Sequence, residues 1–256
     1  MRLHVSTHGE LDVAEACRLW EASPATVRRD FVEIERTGFA RREWGRLRTS
    51  AGVTAGAERE RAMVPFGERE VLQAEEKRRI AQAAAALIAD GHVVIVDGGT
   101  TTLQLVPFLA PRPIKIVTNS IAIAHAIDRG RAGRSGAEVF LTGGQLYPDS
   151  YLLVGPQAKD SLRAYRANWV FLSAAGATVE GVFNSNQLVV ETEQVMVEQA
   201  ERVALLADAS KFGRTGMVPL CGWERLSVVV TDRKPERAVM KALTKHHVKL
   251  TVAGGD

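Results

Sequence analysis

The chain has 256 residues, of which 46% are apolar and 25% charged, with 33 basic against 30 acidic side chains and a net charge of +3. Such fractions belong to an ordinary folded protein and exclude wholesale disorder, collagen-like repetition and a small disulfide scaffold. The length allows one large domain, or a small one joined to another of about 150–200 residues. No apolar run approaches the roughly 18 residues needed to cross a bilayer, and the residues after Met1 do not lead into a signal-peptide core, so the cytoplasm is the expected location. Cys17 and Cys221 stand far apart without a C-x-x-C partner, which fits two buried thiols rather than a disulfide framework or a cysteine-rich zinc site.

Residues 1–50 read as short helices with tight turns. Asp12 stands three residues before Glu15, the spacing of a capping box, and a short helix is expected from Val13 to Trp20. Ser23-Pro24 then supplies an N-cap and an N1 proline for a second helix that Gly38 stops. Val27, Phe31 and Ile34 share its inner face; Ala25, Arg29, Val32 and Arg36 lie opposite, with Arg28 on the flank. Two short helices joined by a tight turn, the second showing arginines near its start, match the geometry of helix-turn-helix DNA readers. Five arginines and one glutamate fall between Arg36 and Ser50, a phosphate-sized patch. Within it, residues 39–48 alternate large and basic groups around Gly45, as a small β-wing would. Such a wing lays Arg41, Arg42, Arg46 and Arg48 along a phosphate backbone, for which the planar guanidinium fork is suited. Thr26 and Arg29 are the candidates for base edges, with Ser23 and Arg28 beside them.

Residues 51–67, with glycines and the charged run at 58–61, read as a linker. From residue 68 to 256 the pattern changes to apolar strands alternating with amphipathic helices. Ile80, Ala83, Ala84, Leu87 and Ile88 form one helix stripe closed by Asp90-Gly91. Apolar runs recur at residues 93–96, 114–117, 139–141, 170–172, 203–206 and 228–230. The expected fold is a mostly parallel α/β sheet covered on both faces.

The residues that can do chemistry stand at the tail of each run. The tails are Asp97-Gly98-Gly99-Thr100-Thr101-Thr102, Thr118-Asn119-Ser120, Thr142-Gly143-Gly144, Ser173-Ala174-Ala175-Gly176, Asp208-Ala209-Ser210-Lys211 and Thr231-Asp232. In a parallel sheet all of them lie along one rim, where ligands bind. Glycines admit a ligand to backbone N–H groups, hydroxyls donate, and helix N-termini favour anions, so the rim suits a phosphorylated polyol. Lys211 is one of eight lysines. It reads as a phosphate-holding point charge, a structural partner of Asp208, or an acid–base group. Asp97 reads as a turn former or an acceptor for a hydroxyl. The histidines form no spaced ligand set, no P-loop or G-x-S-x-G elbow is present, and neither a metal nor a cofactor is expected.

These residues resemble the DeoR family of bacterial sugar-metabolism regulators over nearly the whole length. The resemblance is carried by Ser23-Pro24-Ala25-Thr26-Val27-Arg28-Arg29-Asp30-Phe31, Glu76-Lys77-Arg78-Arg79-Ile80-Ala81, Asp97-Gly98-Gly99-Thr100-Thr101-Thr102, Val117-Thr118-Asn119-Ser120 and Ala207-Asp208-Ala209-Ser210-Lys211-Phe212-Gly213. It implies an N-terminal winged helix-turn-helix and a sensor domain similar in fold to ribose-5-phosphate isomerase, in a homo-oligomer. It also implies a phosphorylated sugar effector contacted by Gly99, Thr100, Thr101, Thr118, Asn119, Ser120 and Lys211, with Glu191 on a family acidic position. Two departures stand out: only eight residues precede Gly9, where the family carries a longer first helix, and Glu193 stands where many relatives have a basic residue.

The expectation is a regulator, most often a repressor in this family, that binds double-stranded operator DNA under control of a sugar phosphate. The rival from another class is a sugar-phosphate isomerase using Asp97 and Lys211, disfavoured because the rim shows no paired carboxylates in sequence. A third reading is an effector-binding protein whose DNA binding is impaired.

Overall fold

Asp12 ends a short strand and starts a helix, because its Oδ1 accepts the Glu15 N–H at 2.7 Å. The computed structural model describes residues 1, 4–5, 10–36, 40–43, 46–49, 66–131, 135–148 and 150–254. They divide into two units, Met1–Met63 and Val64–Asp256.

In the first unit, strand β1 (Glu10–Asp12) leads into helix α1 (Val13–Trp20), and α2 (Pro24–Arg36) comes next. The reciprocal half of the expected capping box is absent: Glu15 faces His4 Nε2 at 3.4 Å instead. Strands β2 (Ala40–Glu43) and β3 (Arg46–Thr49) pair antiparallel, and β1 joins the outer side of β3. Val27, Phe31 and Ile34 turn inward as their spacing predicts, and they meet Val5, Leu11, Ala16, Ala40 and Leu47 in one small core. This is a helix-turn-helix with a two-stranded wing.

Residues 50–65, most of the expected linker, lie outside the described residues. Its last two positions are helical instead. Phe66 and Gly67 open helix α3 (Phe66–Val71), because Phe66 is buried and its ring packs edge-on against Tyr151 at 5.6 Å.

The second unit continues through α4 (Ala74–Ala85), β4 (Val93–Val96), α5 (Thr100–Leu103), α6 (Val106–Leu109), β5 (Lys115–Thr118), α7 (Ile121–Gly130) and β6 (Glu138–Leu141). A hairpin, β7 (Gln145–Tyr147) and β8 (Leu152–Val154), precedes α8 (Pro156–Arg163) and β9 (Ala167–Leu172). Then come β10 (Gly176–Thr178), β11 (Gly181–Asn184), α9 (Gln187–Glu198), β12 (Ala200–Leu206), β13 (Val218–Cys221), β14 (Val228–Thr231), α10 (Arg237–Lys245) and β15 (Lys249–Val252).

Seven strands form one parallel sheet in the order β15-β14-β12-β9-β4-β5-β6. Both faces are buried, which is why the strands read as unbroken apolar runs. Val94 and Val96 face Ile80, Leu105, Leu109 and Ile123 on one side, while Ile95 faces Leu162, Met196 and Leu243 on the other. The strand order reverses between β4 and β9. From β4 the chain steps outward to β5 and β6, then returns to the opposite side of β4 for β9, β12, β14 and β15. In open α/β sheets that reversal leaves a crevice at the carboxyl ends, and ligands bind there.

Candidate functional site

All the expected strand tails lie on one rim, because every pairing in the large sheet is parallel. Asp97 comes after β4 and Ser173 after β9, so they face each other across the reversal. Ser173 Oγ donates to Asp97 Oδ2 at 2.9 Å, and the Ser173 N–H reaches the same oxygen at 3.3 Å. Gly99 must be glycine here, since a Cβ would fall 2.0 Å from Ser173 Oγ.

The hydroxyls of the rim divide into two sets. Thr118 Oγ1 donates to the Val96 carbonyl at 2.7 Å and accepts the Ser120 N–H at 3.1 Å. Ser120 Oγ caps α7 by accepting the Ile123 N–H, and Thr102 Oγ1 donates to the Gly99 carbonyl. These three hydroxyls are occupied by backbone and hold the loops in shape. Thr100 and Thr101 are buried on the single turn of α5, next to Gly99. Asn119 donates through Nδ2 to the Leu153 carbonyl. Gly176 opens β10, and a Cβ on it would lie 2.2 Å from the Arg214 carbonyl oxygen, so its smallness serves packing between backbones.

Lys211 ends the 3-10 turn Ala209–Lys211 after β12. Asp208 sets that turn by accepting the Ser210 N–H at 2.9 Å, and Asp232 after β14 accepts the Ala209 N–H at 2.6 Å. Two further cations join this edge, and neither was singled out in sequence. Lys77 of α4 is only 3% exposed, and its Nζ donates to the Arg69 carbonyl. Burial lowers the Lys77 ammonium to about 8, opposed by the Asp208 charge and reinforced by Lys211 and Arg69. Burial also lowers Arg69, against the attraction of Asp97.

Glu193 of α9, the departure noted in the sequence, is 1% exposed, with Oε1 accepting from Asn184 Nδ2 at 2.7 Å. Its carboxyl is raised well above the ordinary range, first by burial and then by the Asp97 charge. Asp97 is raised by burial too, against the hydrogen bonds from Ser173. The rim therefore does hold two interacting carboxyls, contrary to the expectation from sequence. The sequence signal was available: Lys77 lies on the stripe of Ile80, Ala81 and Ala84, and Glu193 on that of Val189, Val190, Met196 and Val197. A charge on an apolar stripe is a site signal.

Buried polar atoms without partners cost about 1–3 kcal/mol each and are few in native proteins. Among the described residues eight such side-chain atoms occur, and six belong to this region: Arg69 Nε, Asp97 Oδ1, Asn119 Oδ1, Thr142 Oγ1, Glu193 Oε2 and Asp208 Oδ2. No group of His, Cys, Asp and Glu among the described residues is arranged to hold a metal ion.

In the smaller unit, Ser23 Oγ caps α2 by accepting the Thr26 N–H at 3.2 Å and lies 2.9 Å from Thr26 Oγ1. Thr26, Arg28 and Arg29 are exposed. Arg46 Nη1 pairs with Glu10 Oε1 at 3.2 Å, both partly exposed. Register sets Arg41 opposite Arg48 and Arg42 opposite Leu47; the side chains of Arg41, Arg42 and Arg48 lie outside the described residues.

A family model described as the DeoR C terminal sensor domain matches residues 72–233, and one described as the DeoR-like helix-turn-helix domain matches residues 3–51. The chain is 29% identical over 255 residues to the HTH-type transcriptional regulator IolR of Bacillus subtilis (strain 168), covering 99% of this chain and 97% of that protein. It is 28% identical over 249 residues to the glycerol-3-phosphate regulon repressor of Escherichia coli (strain K12), covering 96% and 94%. Identity to the HTH-type transcriptional regulator GlpR of Haloferax volcanii is 35% over 213 residues, 82% of this chain and 78% of the relative. Among solved structures, a translation initiation factor eIF-2B of Pyrococcus horikoshii OT3 overlaps with a TM-score of 0.42 at 18% identity over 62% of each chain. Ribose 5-phosphate isomerase A of Methanocaldococcus jannaschii overlaps with a TM-score of 0.39 at 15% identity over 55% of each chain. With the sensor match alone spanning more than half of its length, the chain belongs to the DeoR family, as a DeoR-like helix-turn-helix head followed by a DeoR C-terminal sensor domain.

Proposed function

We propose that this protein is a transcriptional repressor of sugar metabolism whose head binds operator DNA and whose sensor binds a phosphorylated sugar. One observation carries the sensor half: Lys77, Arg69 and Lys211 stand by a rim where six buried polar atoms lack partners. A phosphate supplies the counter-charge to the cations, and sugar hydroxyls supply donors to Asp97, Asn119 and Asp208. Thr100 and Thr101, beside the reversal crevice, and Thr142 are among the hydroxyls left for the ligand; Thr118, Ser120 and Thr102 shape the loops. Relatives of the chain include a glycerol-3-phosphate regulon repressor, in keeping with a small phosphate ester as effector. On the head, Thr26 and Arg29 read base edges, with Ser23 and Arg28 at their side and the wing arginines on phosphates.

The protein works as a cytoplasmic homo-oligomer in this reading, and effector binding changes the relative placement of its DNA-reading heads. Such control requires different effector affinities in the two arrangements. A melting screen against sugar phosphates tests the sensor: a ligand at 100 times its Kd adds about 2.7 kcal/mol of stability. Gel shifts on DNA flanking its own gene, with and without the ligand so found, test the head; no shift under either condition rejects it. The carboxyls of Asp97 and Glu193 keep an isomerase as the second reading. Interconversion of pentose or hexose phosphates at about 1 s⁻¹ by NMR, low in the ordinary enzyme range, would establish it.

A further inference from the structure

We infer that Asp97 and Glu193 form the hydroxyl-recognising half of the rim site, which restricts its ligand to a monophosphorylated polyol or sugar whose far end is uncharged. This deepens the effector reading above and rests on it.

The two side chains are built alike. Each is about 1% exposed, and each has one oxygen fixed by a neutral donor, Asp97 Oδ2 by the Ser173 hydroxyl and Glu193 Oε1 by the Asn184 amide. Each leaves its second oxygen, Asp97 Oδ1 and Glu193 Oε2, buried without a partner. Glu193 lies within the field of the Asp97 charge, yet no hydrogen bond joins them. Such a pair wants donors from outside, and a run of O–H groups provides them. A carboxylate or second phosphate brings no donor and adds a like charge in a medium that screens poorly.

Lys77 and Lys211 lie to one side of this pair, at the Asp208 edge, while Arg69 stands within the field of Asp97. Asp97 ends β4 and Lys211 comes after β12, two places along the sheet with β9 between. Two strand spacings are about 10 Å, the reach of a five- or six-carbon phosphate ester laid along the rim. Phosphate at the β12 end therefore puts the hydroxyl chain over the β4 end.

Calorimetry on the full chain with inorganic phosphate, a set of pentose and hexose monophosphates and 6-phosphogluconate tests the inference. Neutral-ended monophosphates should include one that binds at least tenfold tighter than inorganic phosphate or 6-phosphogluconate. Glu193→Met should weaken that ligand at least tenfold and leave inorganic phosphate within twofold. Equal binding of 6-phosphogluconate to the unaltered protein, or an undiminished monophosphate affinity in Glu193→Met, overturns it. Should the variant not fold, the comparison of ligands on the unaltered protein decides alone. If inorganic phosphate binds but no polyol is preferred, only this inference fails. If nothing phosphorylated binds, the effector reading falls with it.

Discussion

Lys77 reaches back along its own segment to hold the backbone carbonyl of Arg69, eight residues earlier, while its ammonium lies within the fields of Asp208 and Lys211. One side chain thus ties α3 to α4 and contributes charge to the rim.

The lowered Lys77 ammonium has a consequence for pH. Its folded value of about 8 lies below the ordinary 10.5, so between those values the unfolded chain holds more protons and stability rises with pH. Below that window the burial cost is fully present. Urea denaturation of the ligand-free protein at about pH 7.5 and about pH 10 should show this rise, and Lys77→Met should lack it. Phosphate affinity should run the other way and fall above about pH 8 as the ammonium is lost; a flat profile would remove Lys77 from the site.

Gly99 sits where a methyl group would strike Ser173. Gly99→Ala is expected to destabilise by about 1–3 kcal/mol through overpacking and to loosen the Asp97–Ser173 bond. Gly143→Ala, with open space around its Cβ position, is the control and should change stability by less than about 0.5 kcal/mol. Paired chemical denaturation curves read both.

Thr118 and Thr100 separate structure from sensing. Thr118→Val removes a fully buried hydroxyl that holds both the Val96 carbonyl and the Ser120 N–H, and should cost about 1–3 kcal/mol of stability. Thr100→Val should leave the melting temperature of the free protein nearly unchanged and reduce the shift produced by the effector. Equal losses in both variants would contradict the division.

Arg29 is exposed on α2, so Arg29→Ala should leave the fold intact and weaken cognate DNA by about 1–3 kcal/mol with relaxed sequence preference. Phe31→Ala, in contrast, empties the centre of the head's core and should abolish DNA binding by unfolding the head, at about 3–5 kcal/mol. Gel shifts with competitor DNA, alongside circular dichroism, distinguish the two routes.

The central strands could be read in the sequence because burial on both faces writes them as continuous valines, isoleucines and leucines. β15 could not, since it closes one edge of the sheet and Lys249-Leu250-Thr251-Val252 is only partly buried. The small antiparallel sheet of β10, β11 and β13 was equally hidden, its strands being three or four residues long with glycines inside the pairing region. The rim loops were legible from their glycines and hydroxyls, but which hydroxyls serve the backbone is a matter of tertiary contact. Lys77 was hidden by its charged neighbours Glu75, Glu76, Arg78 and Arg79, while Glu193 stood out as a departure from the family pattern without its burial being legible. The place of each on an apolar stripe is the signal of that burial.

Phe66 is the third residue before Arg69, on the helix with which the described part of the second unit begins. The helix that buries the Phe66 ring against Tyr151 is thus the one that carries a guanidinium into the field of Asp97, so whatever unseats that ring also shifts the charge.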